Sequence, residues 1–160
     1  LFGIRRIAAE KAWIDFKKLS GLDINILRVS GIYSKESNVL KKILKKNIYV
    51  KDKKFFSRIR IEDLAVVIKK MFFSSRSSMI LNASDDKPST NVEVAKFAAK
   101  LLKIKSLHAV PIFKFKNKMI KQFYKDSKKV SNKKMKNFFN FQLKYPTYIE
   151  GLNYIKNNFI

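Results

Sequence analysis

Arg58 and Arg60 stand two residues apart in Phe-Ser-Arg-Ile-Arg-Ile, a stretch whose alternation reads as a β-strand. At that spacing both guanidinium groups leave the same face. A pair of planar forks is suited to gripping an anionic group such as a phosphate. They are therefore the candidate substrate contacts. A plain solvated basic face is the competing reading. Asp63, just beyond, is expected to be structural, capping its helix or fixing a neighbouring loop. Other chemistry is scarce. The sequence has no cysteine and one histidine, His108. This excludes a disulfide frame and a thiolate metal centre, and no metal site is expected. His108 has no partner at ligand spacing and is expected on a loop or the surface.

The chain has 160 residues, 46% of them hydrophobic. That suits a folded unit with a real core and argues against intrinsic disorder. The formal net charge is +24, which raises nucleic acid as a partner. However, only six of the 36 basic residues are Arg. The lysines are spread along the chain, and Lys, Ile and Asn are all abundant, as AT-rich codon usage would produce. The pattern argues against dedicated nucleic-acid binding. The apolar run 64–68 stops at Lys69 and Lys70, far short of the ~20 residues a membrane span needs. No signal peptide is visible, so a cytoplasmic protein with no membrane partner is the expectation. The first residue is Leu, which suggests a trimmed chain or a fragment.

The elements follow from periodicity and capping signals. An amphipathic helix is expected over 7–19, closed by Gly21. A largely buried strand follows over 23–29, then a loop over 30–36. A short helix is expected over 39–45, a strand over 48–50 and the alternating strand over 56–61. Glu62 and Asp63 then open a helix to about Phe73. A strand over 79–82, a turn over 85–89 and a helix over 92–102 come next, with Thr90 and Glu93 as its capping box. An extended piece over 110–112 leads to a basic helix over 114–124. Ser131 is placed to cap a helix over 132–138. Thr147 and Glu150 form a second capping box, before a final helix to about Phe159. The order is that of an α/β protein.

Phrases in this order carry a family resemblance: Phe-Ser-Arg-Ile-Arg-Ile-Glu-Asp-Leu-Ala at 56–65, then Leu-Asn-Ala-Ser-Asp-Asp-Lys-Pro-Ser-Thr at 81–90. Leu-Arg-Val-Ser-Gly-Ile-Tyr at 27–33 joins them, as do the closing stretches 127–136 and 141–152. Together they resemble the C-terminal portion of the NAD-dependent epimerase/dehydratase family, the extended short-chain dehydrogenases/reductases. The resemblance implies an α/β fold: the end of a Rossmann-like parallel sheet and a small, mostly helical substrate-binding part. Residues 1–35 would close the Rossmann-like part. Residues 36–160 would be mainly substrate-binding, with some strands returning to the sheet.

The resemblance also implies NAD or NADP as cofactor and a sugar or sugar-nucleotide as the small-molecule substrate; a homodimer stays open. Ser30, Gly31, Ile32 and Tyr33 would then lie beside the nicotinamide, and Arg6 near its ribose. In the family a Tyr and a Lys precede an Ala-Ala-Glu phrase. Counting back from Ala8-Ala9-Glu10 places Phe2 at the Tyr position and Arg6 at the Lys position. Phe2 cannot carry a proton and Arg6 cannot shuttle one, so the acid/base is unknown. A non-catalytic member, an atypical branch with another acid/base, and a different alignment at this edge all stay open.

No two of Gly3, Gly21, Gly31 and Gly151 are close enough to make a phosphate-cradling turn. The chain alone is therefore expected to be inactive. Counting back from Asp63 places Phe56 where the family's nucleotide-sugar clamp has Arg, which argues against its best-known substrates.

Overall fold

A computed structural model describes residues 2–75, 79–117, 121 and 124–160. Helix α1 (Phe2–Ser20) opens the chain and ends where Gly21 takes φ +69° and donates its N–H to Lys17 O. It starts earlier than its periodicity predicts. Its apolar residues also do not collect on one buried stripe, and none of residues 3–20 is buried.

Strand β1 (Ile26–Val29) is shorter than the 23–29 expected, and β2 (Gly31–Tyr33) occupies the expected loop. Helix α2 (Val39–Lys46) follows, with Asn38 Oδ1 accepting from Lys41 N. Next come β3 (Ile48–Lys51), β4 (Phe55–Phe56) and β5 (Arg58–Arg60). The single strand expected over 56–61 is thus broken at Ser57. Helix α3 (Ile61–Phe72) carries Glu62 and Asp63 in its first turn, where the helix dipole favours them. Strand β6 (Ile80–Ala83), strand β7 (Ser89–Thr90) and helix α4 (Asn91–Leu101) continue the chain.

Strand β8 (His108–Pro111) and a 3-10 turn (Ile112–Lys114) follow. The basic helix expected over 114–124 falls in part on residues 118–120, 122 and 123, which lie outside the described residues. Helices α5 (Lys133–Phe139) and α6 (Tyr148–Phe159) close the chain. Both expected capping boxes form, at Thr90/Glu93 and Thr147/Glu150. The cap of α5 is Asn132 and not Ser131, and it makes no side-chain cap bond. The Asn132 amide is spent elsewhere, on Ser84 O and Asp86 Oδ1.

Among the described residues three strand pairs are parallel: β1 with β6, β2 with β5, and β3 with β8. β4 and β7 pair antiparallel. β1 and β2 form one course of chain that changes partner at a single step. Ser30 N–H donates to Ala83 O at the end of β6, and Gly31 N–H donates to Ser57 O before β5.

Two apolar cores flank this course. One joins Tyr33, Leu40, Ile43, Val94, Ala98, Leu152 and Ile155, and so packs α2, α4 and α6 together. The other joins Ile59, Leu64, Val67, Leu81, Met135 and Leu143 between α3, α5 and β6. The strands that pair with β1 and β2 come from positions 80–83 and 58–60, which lie 54 and 27 residues on by register.

Candidate functional site

The partner change at Ser30–Gly31 lies at the carboxyl end of β1, which runs parallel to β6. That is where open α/β sheets place their ligands. Ser30 is half-buried there, while Gly31 and Ile32 are exposed. Ile32 keeps 53% of its surface accessible, an apolar patch at the strand end. A Cβ on Gly31 would meet only Ser57 O at 3.4 Å. The protein itself therefore does not demand glycine at that position.

Tyr33 turns the other way. It is buried, its register partner is Arg60, and among the described residues its hydroxyl has no hydrogen-bond partner. Burial foremost, and then the Asp85 charge, push its pKa above the ordinary phenol value. A phenol in that state holds its proton at neutral pH. Its ring also lies against Gly151, where a Cβ would overlap it.

The two arginines share a strand face, and that face is turned into the protein. Arg58 Nη1 donates to Phe56 O and Ser89 O, both at 3.0 Å, and Nη2 donates to Asn91 Oδ1 at 2.9 Å. Asn91 Nδ2 in turn donates to the Tyr124 hydroxyl at 2.6 Å. Burial lowers the Arg58 pKa from its ordinary value.

Arg60 is fully buried. It donates to Glu62 through Nε at 2.6 Å and Nη2 at 2.8 Å, and to Gly151 O through Nη1 at 2.8 Å. The Tyr145 and Tyr154 rings stack beside its guanidinium, with centroids 4.1 and 4.9 Å away. Every part of this group is spent on the protein, so it offers a ligand no surface. The expectation of a second substrate-facing arginine fails there. Arg60 is an internal clasp, and the bond it makes holds the Glu62 carboxyl below its ordinary pKa.

Asp63 fixes a loop, as its type and place imply: its two oxygens accept from Lys144 N at 2.8 Å and Tyr145 N at 2.9 Å. Arg6 lies exposed on α1. Phe2 belongs to α1 by its backbone, and its side chain lies outside the described residues. His108 is exposed at the start of β8.

Asp85 was not singled out by the sequence. Its amide donates to Arg58 O at 2.6 Å, and the residue is 1% exposed. Among the described residues no donor meets either carboxylate oxygen at hydrogen-bonding geometry. Burial pushes its pKa up to about 7, and the Arg58 charge and nearby backbone amides pull it back only in part. Two adjacent acids directly after a buried strand end were the available signal. Its neighbour Asp86 pairs with Lys136 at 2.9 Å on the rim of a cleft of about 470 Å³ beside α5.

The chain matches no protein-family model and no curated protein. Solved structures do match it. A conserved protein of unknown function from Silicibacter pomeroyi shares 29% identity and a TM-score of 0.84 over 96% of this chain and 54% of that one. The dTDP-glucose 4,6-dehydratase of Bacillus anthracis, solved with NAD, shares 20% identity and a TM-score of 0.74 over 93% of this chain and 48% of its own.

This chain has the fold of the C-terminal part of a Rossmann-like epimerase. A UDP-glucose 4-epimerase from Thermotoga maritima, solved with UDP-glucose, extends the likeness at 15% identity, with a TM-score of 0.77 over 98% of this chain and 52% of that one. The chain thus spans about half the length of the structures it resembles. Other similar structures hold NADPH or NAD.

The residues present fit only one end of such a cofactor. Gly31 and Ile32 leave an open, partly apolar strand end suited to a flat ring. The four glycines supply no turn for a pyrophosphate. Among the described residues no acidic or histidine cluster is suited to a metal ion, and no helix is long and apolar enough to cross a membrane.

Proposed function

We propose that this chain supplies the C-terminal part of an NAD(P)-dependent sugar or sugar-nucleotide epimerase, dehydratase or reductase. The observation that carries the reading is the partner change at Ser30–Gly31, in a fold shared with NAD- and NADPH-bound enzymes. Ser30, Gly31, Ile32 and the backbone of Tyr33 form one wall of the nicotinamide site, and Arg6 faces the ribose. The cofactor, when bound, supplies the hydride chemistry. These residues position its ring and keep one side of it dry.

Arg58 is the remaining substrate-side cation. Its guanidinium holds Asn91 and two carbonyls at the base of the site, so it orders that base and adds positive potential below an anionic substrate. Arg60 has no part in this. The chain by itself lacks the pyrophosphate turn and an evident acid/base, and is inactive.

A second reading keeps cofactor binding and drops catalysis. Phe2 and Arg6, standing where the family has Tyr and Lys, favour it. One experiment separates the readings. The purified 160-residue chain is assayed with NAD and NADP against dTDP-glucose and UDP-glucose. It is then assayed again after joining the uncovered half of the Silicibacter pomeroyi protein ahead of Leu1. No turnover by the chain alone, with cofactor binding by the joined protein, is the expected result. Turnover by the chain alone refutes the proposal. Binding without hydride exchange on any substrate selects the second reading.

A further inference from the structure

The lysines are spread along the sequence, but the fold gathers one set of them and keeps the acids away. Segments 37–51 and 94–111 hold nine lysines and no Asp or Glu. They are distant in sequence and adjacent in space. Helix α2 packs on α4, where Leu40 and Ile43 join Val94, Ala95 and Ala98 in one core, and β3 pairs parallel with β8. Each strand follows its helix, and Asn47 O accepts from His108 N. The carboxyl ends of both helices are thereby brought to one pole.

Lys45, Lys46, Lys100, Lys103 and Lys105 are exposed there. Among the described residues none of them forms an ion pair. The helix dipole accounts for a lysine in a last turn, as at Lys45, Lys46 and Lys100. It does not account for Lys96, one turn earlier, or for Lys103 and Lys105, past the helix end.

A groove of about 390 Å³ opens between these lysines. Tyr49, Ala99, Ile104 and Leu107 line it, with Lys96, Lys100 and Lys105 around them. Tyr49, Ile104 and Leu107 pack against the core that joins α2, α4 and α6, so the lining is the open end of that core. Lys96 and Lys100 are one turn apart and leave the same face of α4. An apolar centre with a charged rim is the layout of a protein-binding surface.

We propose that this groove docks an acidic protein segment. One large apolar side chain seats against Tyr49, Ile104 and Leu107, and flanking Asp and Glu residues meet the lysines. Charge complementarity and concavity commit the occupant. A second copy is disfavoured, since two chains at +24 repel. Nucleic acid fits less well. None of the chain's six arginines lies in either segment, so the bidentate grip on phosphate is missing. Tyr49 is half-buried and offers bases no stacking platform. The docking does not depend on the function proposed above, because none of these residues belongs to the nicotinamide wall.

Fluorescence anisotropy on the 160-residue chain tests it at about 0.15 M salt. The probes are the labelled peptide Glu-Asp-Glu-Phe-Glu-Asp-Glu and its Ser-centred counterpart. Burial of the Phe side chain should make the first bind about tenfold tighter. Lys100→Glu with Lys105→Glu should weaken it by about tenfold or more. Lys11→Glu with Lys18→Glu makes the same charge change on α1, and should weaken it by less than about threefold. In the natural chain, where no variant's folding is at stake, amide shifts on titration should gather at Tyr49, Ala99, Ile104 and Leu107.

Equal affinity for the Phe and Ser peptides, or equal weakening by the two double variants, overturns the proposal in favour of a diffuse positive field. Tighter binding of a single-stranded oligonucleotide of equal charge, at the same amides, overturns it in favour of nucleic acid. No binding of the Phe peptide, or shifts confined to another surface, overturns it outright.

Discussion

Two Arg–Glu pairs show how differently the two ends of this molecule are built. Arg28–Glu10 fastens α1 to β1 with a bidentate contact whose closest approach is 2.6 Å, and the Arg28 side chain remains 53% exposed. Arg60–Glu62 has the same 2.6 Å contact, but its Arg side chain is 0% exposed. Water competes for the first guanidinium and is excluded from the second, although Glu62 itself remains 46% exposed. An exposed pair of this kind contributes about 0–1 kcal/mol. A buried guanidinium is costly to strand and costly to delete.

The second region is also bound together by several other contacts. Asp63 holds the backbone at 144–145, Tyr145 stacks on Arg60, and Gly151 O caps the guanidinium. The α3–α6 corner satisfies its charged side chains internally, whereas α1 and β1 leave their apolar atoms and edge amides open. A region can therefore be well formed by local signals and still be energetically unfinished.

The largest break in this contrast comes from Arg60→Met. It strands Gly151 O and removes the stacking with Tyr145, so it should cost about 3 kcal/mol in urea unfolding. The matching Arg28→Met should cost less than about 1 kcal/mol. Equal costs would erase the distinction. Gly151→Ala comes next. The new methyl overlaps the Tyr33 ring and hydroxyl, and an overpacked core of this sort loses about 2 kcal/mol. Adding Tyr33→Phe, which deletes the unpartnered hydroxyl, should recover part of that loss. A double-mutant cycle reads the coupling, and strict additivity would contradict the packing described.

Asp85 sharpens the contrast through pH. Its folded pKa, about 7, lies above an unfolded value of about 3.9. The folded state thus binds the proton more tightly. This contribution to stability is complete below the unfolded value and is lost as pH rises through about 7. Stability of the natural chain relative to Asp85→Asn should therefore fall between pH 4 and 8, by at most about 4 kcal/mol. A flat difference would mean that Asp85 keeps a partner for its charge. The smallest effect is expected from Leu19→Lys in the chain alone, within about 0.5 kcal/mol, because that side chain is already in solvent.

What the sequence revealed depended on how far apart the interacting residues lie. The capping boxes at Thr90/Glu93 and Thr147/Glu150 act over three residues, so their spelling is their geometry. Asp63 was also legible, since an acid in a first helical turn has few other duties. Strand β2 was not. It reads as loop because nothing near it reveals β5 as its partner, 27 positions away by register. The strand expected over 56–61 broke at Ser57 for the same reason: Ser57 O accepts from Gly31, and its Oγ accepts from Val130 N.

Alternation placed Arg58 and Arg60 correctly on one face but assigned that face to a ligand. The carbonyls of Ser89 and Gly151 and the Tyr145 ring, which claim it, come from distant segments. Asp85 was hidden because an Asp-Asp pair before Pro88 spells a turn whether or not the first carboxylate is buried.

Amide hydrogen exchange on the isolated 160-residue chain tests the central contrast most directly. Residues of α3 and α6 should exchange only through global unfolding, while α1 and the outward amides of Leu27 and Val29 should exchange through local opening, at least about a hundredfold faster. Uniform protection across α1, β1, α3 and α6 would contradict the account, because the N-terminal surface would then need no partner.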